Sequence, residues 1–194
     1  MYERTIIVEP ATPAAIAPYG QFVGAHVEVP VFASWPGVTI HGGLPFSIGE
    51  RGELLLVQMA PRAFPLRCSL MERHPKHTQT YLPFNAKPFV MLLGEPTDGD
   101  LPDYARLRAF RFDGTGGIIL HTDVWHDFPY ALEEDTQFAV VLDAASHINE
   151  TTAPAQQYDA DGPDLQRRGL TSRAIITVAL AVYPDLQGAI NDRG

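Results

Sequence analysis

Glu72-Arg73-His74-Pro75-Lys76-His77-Thr78-Gln79-Thr80-Tyr81-Leu82-Pro83 sets an acid, two cations, two imidazoles and a carboxamide in line, then runs into apolar sequence. A second polar knot follows further on: His121-Thr122-Asp123-Val124-Trp125-His126-Asp127-Phe128-Pro129. Four of the seven histidines therefore fall in two short windows. Strand-like runs separate them, Phe89 to Leu93 and Leu107 to Phe112. Two ligand-rich turns separated by antiparallel strands bring their imidazoles to one pocket. That is how a small β-barrel builds a metal or acid–base site.

Working outward, apolar runs too short for helices recur between turn residues. Thr5 to Glu9, Tyr19 to Val23, Leu66 to Met71, Gln79 to Phe84, Pro88 to Gly94, Ile118 to His121 and Thr136 to Asp143 all read as strands. Leu54 to Ala60, bounded by Pro61, reads as a strand buried on both faces. The 17 prolines and 16 glycines suit short strands joined by tight turns. Short strands at this spacing predict an all-β sandwich or barrel. Thr12 before Pro13 predicts one or two helical turns with a hydroxyl cap. Residues 26–53 show no period and read as a long loop or edge hairpin beside a barrel mouth. Residues 151–163 read as a polar linker or arm, and Leu170 to Val182 as a helix ending before Pro184.

A chain of 194 residues and 21.3 kDa supports one substantial core with a tail. The net charge of −9 and the lack of a basic face speak against nucleic acid as a partner. Cys68 is the only cysteine, which excludes an intrachain disulfide and a thiolate zinc site. No signal-peptide layout and no membrane-length apolar run occurs, so a cytoplasmic protein away from membranes is expected.

His74, His77 and His126 supply three neutral nitrogen ligands, and Gln79 adds a neutral oxygen. Such a set suits zinc, nickel, iron or manganese. His77 and Gln79, two apart on an extended chain, share a face. Pro75 hides the direction of His74. His121 and His126 reach one pocket only if the chain turns near Thr122-Asp123.

Glu72-Arg73-His74-Pro75, then Thr78-Gln79, an apolar pair and Pro83, resembles a signature of the ureidoglycolate lyase family. His121, then Val124-Trp125-His126 and Pro129, is similar to the family's second signature. Tyr19-Gly20 and the strand before Asp143 extend the resemblance over residues 5–145. It implies a cupin fold, a double-stranded β-helix barrel with a few short helices over residues 1–150. A C-terminal extension, 151–194, would pack on the barrel or on a partner subunit, in a homodimer. The implied reaction splits ureidoglycolate into glyoxylate and urea in allantoin and purine nitrogen catabolism.

For the site, the resemblance implies His74, Gln79, His121 and His126 as pocket residues with Glu72 and Arg73 in support; the candidate metal ligands are His74, His77, Gln79 and His126, and the candidate catalytic residues His121, Glu72 and Arg73. The implied cofactor is a divalent metal, nickel, manganese or zinc, with no organic cofactor, and the partner is a small carboxylate. Arg73, or Lys87, would hold that carboxylate. Lys76-His77 departs from the small or apolar residues common in the family and adds one candidate ligand. Two other readings stay open: another metallocupin enzyme, an isomerase or dioxygenase on a small hydroxy or keto acid, and a non-catalytic binder of small carboxylates.

Overall fold

A computed structural model describes residues 1–24, 30–144, 146 and 159–181. His26 and most of the expected 151–163 arm lie outside them. The chain opens with β1 (Tyr2–Ile7) and β2 (Glu9–Pro10). The single turn α1 (Pro13–Ile16) follows, where Pro13 sacrifices no hydrogen bond because a first-turn N–H has no helical partner. The Thr12 hydroxyl caps it as expected, accepting from the Ala15 N–H at 3.2 Å. After β3 (Gly20–Gly24), the loop region holds an edge hairpin, β4 (Val31–Trp35) and β5 (Val38–His41). Gly37 turns it at φ +80°, a conformation that glycine adopts without strain.

Next come β6 (Gly52–Met59), β7 (Leu66–Cys68), β8 (Leu70–Arg73) and β9 (Gln79–Pro83). They are followed by β10 (Phe89–Gly94), β11 (Arg108–Phe112), β12 (Gly116–Leu120) and β13 (Trp125–His126). The series ends with β14 (Tyr130–Ala131), β15 (Thr136–Asp143), β16 (Ala160–Gly162), β17 (Leu165–Gly169) and β18 (Ala174–Ala179).

Three layers result, in an all-β, cupin-like arrangement. One sheet runs β3-β12-β9-β15-β6, and a larger one β16-β17-β8-β13-β10-β11-β2 with β14 beside β10. The third runs β1-β18-β7. Strand β10 lies between two cores because its side chains alternate. Phe89, Met91 and Leu93 enter the barrel core with Tyr81, Phe110 and Phe138. Val90 and Leu92 enter the second core, against Ile6, Cys68 and Ile176 of the third sheet. A continuous apolar run is the sequence form of a strand covered on both faces. Phe89 stacks on Phe112 at 4.6 Å and meets Phe138 edge-on at 4.8 Å. Such pairs add about 0.5–1.5 kcal/mol each beyond area burial.

Two expectations are corrected. Residues 174–179 form strand β18, not a helix. Parallel pairing with β1 and antiparallel pairing with β7 bury Ala174, Ile176 and Val178 in alternation, overriding the helical tendency of the alanines. Strand β6 is not buried on both faces. It is the edge strand, bonded only to β15, and Leu54 and Leu56 face outward and exposed. Among the described residues, no helix is long and apolar enough to cross a membrane.

Candidate active site

Strand alternation decides which side chains of the first polar knot reach the barrel interior. On β8, Met71 packs in the outer core, so Glu72 points inward and Arg73 outward again. Trp125 of β13 is an outer-core residue, which turns its neighbour His126 inward. The register then places His126 directly opposite Glu72. Beyond β8, Asp123 at φ +63° makes the expected turn, and its N–H bonds the His74 carbonyl at 2.9 Å. The two polar knots are thereby stitched together.

Glu72, His74 and His126 form one buried group whose ligand atoms lie within 4.8 Å of one another. His126 Nε2 stands 4.0 Å from Glu72 Oε1. Each imidazole is fixed by its other nitrogen: His126 Nδ1 bonds the Val124 carbonyl at 2.9 Å, and His74 Nδ1 bonds the Asp164 carbonyl at 2.9 Å. A carbonyl only accepts, so Nδ1 carries the proton and Nε2 carries the lone pair. Both Nε2 atoms are buried without a hydrogen-bond partner. Two lone pairs beside a carboxylate, with every outer nitrogen anchored, match what a divalent metal requires of its ligands.

Electrostatics prepare the same state. Burial pushes His74 down to about 4 and His126 below its usual value, each against the pull of Glu72. Both rings are therefore neutral at pH 7. Burial also pushes the Glu72 carboxyl up, but His74, His126 and Arg167 outweigh it and hold Glu72 below the usual carboxylate value. With the imidazoles uncharged, Arg167 is the cation that keeps Glu72 ionised. It donates from Nε at 3.0 Å and from Nη2 at 2.8 Å, both to Oε2, leaving Oε1 toward the histidines.

The remaining candidates divide. His77 is buried, its ring 4.7 Å from that of His74, but it stands outside the three-residue group. Its Nδ1 meets Asp164 Oδ2 at 2.5 Å, and its Nε2 has no hydrogen-bond partner. Gln79 opens β9, buried, with Oε1 unpartnered.

Two of the expected catalytic residues stand apart from this group. His121 lies exposed at the end of β12, its backbone N–H bonded to the Tyr19 carbonyl, and takes no part in the group. Arg73 points out of the barrel: it stacks 4.6 Å over Trp125 and donates to Gln166 Oε1 and to the carbonyls of Thr97 and Gly99. Those bonds occupy its guanidinium on the outer side of β8. Lys87 is spent on the Glu134 carbonyl.

Asp164 and Arg167 had been missed in the sequence. Asp164 holds His77 by its carboxylate, His74 by its carbonyl, and the Lys76 N–H at 2.6 Å. Both residues belong to the C-terminal hairpin β16–β17, which pairs with β8 and places Arg167 opposite Glu72. The only available signal was an unexplained acid and two arginines on a strand-like run after residue 163.

The ureidoglycolate lyase family model matches residues 3–161. The chain belongs to the ureidoglycolate lyase family. A ureidoglycolate lyase of Brucella anthropi is 30% identical over 172 residues, covering 80% of this chain and all of that protein. One from Burkholderia mallei is 30% identical over 168 residues, covering 81% of this chain and 95% of the relative. One from Pseudomonas syringae pv. tomato is 28% identical over 157 residues, covering 75% and 87%. Within the ureidoglycolate lyase match lie Glu72, His74 and His126, whereas Asp164 and Arg167 follow it.

Proposed function

We propose that the protein cleaves ureidoglycolate to glyoxylate and urea at the Glu72, His74 and His126 group. The observation that carries this reading is the pairing of two buried neutral imidazoles, open at Nε2, with a buried ionised carboxylate. Family membership supplies the substrate class.

In ureidoglycolate one carbon bears a hydroxyl, a carboxylate and the ureido nitrogen. Glu72 Oε1 accepts the hydroxyl proton. The freed oxygen pair becomes the aldehyde C=O as the C–N bond breaks. Glu72 then returns the proton to the departing nitrogen, so hydroxyl and nitrogen exchange one proton and no atom is lost. Arg167 keeps Glu72 ionised between turnovers. His74 and His126 are the residues that would hold a divalent metal, nickel, manganese or zinc, beside Glu72. That ion would supply Lewis acidity toward the substrate hydroxyl and carboxylate. His77 Nε2 and Gln79 Oε1 offer polar atoms to the ureido end, with Asp164 orienting His77.

The same reading assigns the enzyme to allantoin degradation in the cytoplasm, acting as a homodimer. Residues 1–150 form the barrel domain, and residues 151–194 an extension that completes the site from β17.

Glyoxylate release from ureidoglycolate, by metal-stripped protein and by protein given nickel, manganese or zinc, tests the proposal. Release above the spontaneous rate that disappears in His126→Ala supports it. Absence of release with every metal overturns it.

A further inference from the structure

The hairpin β4–β5 carries its apolar side chains in the open. Phe32 is 78% exposed, Val31 59% and Trp35 53%, with Val38 and Ile40 also exposed. No residue of either strand is buried, and among the described residues the two strands pair only with each other. From Val29 to Gly49 the sequence contains no Asp, Glu, Lys or Arg, in a chain that is 19% charged. An isolated two-stranded hairpin is marginal in water. An uncharged one presenting large apolar groups is a docking element.

The same chain has a second exposed apolar patch, on the outer face of the five-stranded sheet at its β6 edge. One row across that face reads Gln21, Ile119, Thr80, Val141 and Leu54 by register, with no charge; Ile119 and Thr80 are buried within it and Leu54 is exposed. The next row ends on Leu56, which is 74% exposed, and Phe84 stands open beside it.

We infer that the hairpin is an arm that packs on the outer sheet face of a second copy, around Leu54, Leu56 and Phe84. This gives a surface to the homodimer proposed above and rests on that reading. Charge selects the occupant. Two chains of net charge −9 repel over most of their surfaces; the hairpin carries no acid, and neither do Leu54, Leu56 and Phe84, with Asp135 standing beside that patch on Gln58 and Asn85. Area agrees: an aromatic side chain buries about 150–250 Å² when covered, so Phe32, Trp35 and Phe84 with their aliphatic neighbours approach the ~800 Å² per partner of a stable association. Arm and face lie on one chain; made reciprocally about a two-fold axis, the contact closes at two copies, whereas a one-way contact would chain copies into larger assemblies.

Sedimentation velocity of the full chain tests this, compared with Phe32→Asp/Trp35→Asp and with Leu56→Asp. The expected result is twice the 21.3 kDa chain mass for the unsubstituted protein and monomers for both variants. A second measurement does not depend on disrupting the dimer. Trp35→Cys and Leu56→Cys proteins are mixed and treated with a short bis-maleimide, Cys68 being buried. A covalent dimer that forms in the mixture and not in either protein alone supports arm-on-face packing. An unsubstituted protein that stays monomeric, a dimer that survives both Asp variants, or a mixture that does not cross-link would each overturn it. Loss of catalysis alone touches the function, not this interface.

Discussion

Arg167 sits directly across from Glu72 in the β8–β17 register and gives both of its hydrogen bonds to one carboxylate oxygen, Oε2. The acid is thereby held ionised inside the barrel while its other oxygen stays toward the histidines.

Removing that cation strands a buried charge. Arg167→Met should cost about 3–5 kcal/mol, the usual penalty for breaking one side of a buried pair. Glu72→Gln/Arg167→Met should recover much of the stability and none of the activity. Urea unfolding at pH 7 measures both; a single variant as stable as the parent would remove the pair from the folding account.

Asp164 is a positioning residue. Asp164→Asn keeps an acceptor for Lys76 N–H and keeps the carbonyl that holds His74, but loses the charge at His77. Losses of about 10–100-fold are usual when such an outer partner of a site histidine is removed. The effect is expected in kcat at unchanged fold, and Asp164→Glu should restore part of it. Steady-state kinetics with a circular dichroism control decides it.

The two windows of histidine should separate cleanly. His121→Ala removes an exposed ring and should leave turnover within about twofold, since surface substitutions away from special features are nearly neutral. His126→Ala should lower turnover by about 10²–10⁴-fold, the range of a lost proton-transfer or ligand group. Comparable losses in the two variants would return His121 to the site.

Stability should carry opposing pH contributions. His74 has its folded value near 4, below an ordinary 6.5, so its neutral form stabilises the fold above pH 6.5 and that stability is lost as pH falls toward 4. Asp127 runs the other way. Burial raises it to about 6 from 3.8, so its stability is present below 3.8 and is lost as pH rises through 6. Between pH 4 and 6 the two offset each other. His74→Gln removes one side, and its slope of stability against pH should fall below the parent's by up to ~1.4 kcal/mol per unit. Urea midpoints at intervals from pH 4 to 7 check this, and parallel curves would contradict it.

What the sequence made legible was local. Strand spacing, the Thr12 cap and the condition of a turn at Thr122-Asp123 all rest on neighbours within a few residues, while Pro75 hid the direction of His74. Strand parity bears on Arg73 as well: if Glu72 faces in, the next residue faces out. Asp164 and Arg167 were not legible, because their partners stand 87 to 95 positions earlier in the chain. No periodicity carries information over that distance. Residues 174–179 misled because alanine favours helices in isolation, whereas pairing on both sides decides a central strand.

The parallel pairing of β1 with β18 has a consequence in time. Tyr2 waits for Ala174 and Ile7 for Ala179, so β1 cannot take its place until β18 has been made. The β16–β17 hairpin that delivers Asp164 and Arg167 comes from the same late stretch. On the ribosome the nascent barrel therefore has its histidines before it has the residues that orient and charge them, and the site is armed only once β17 has been made.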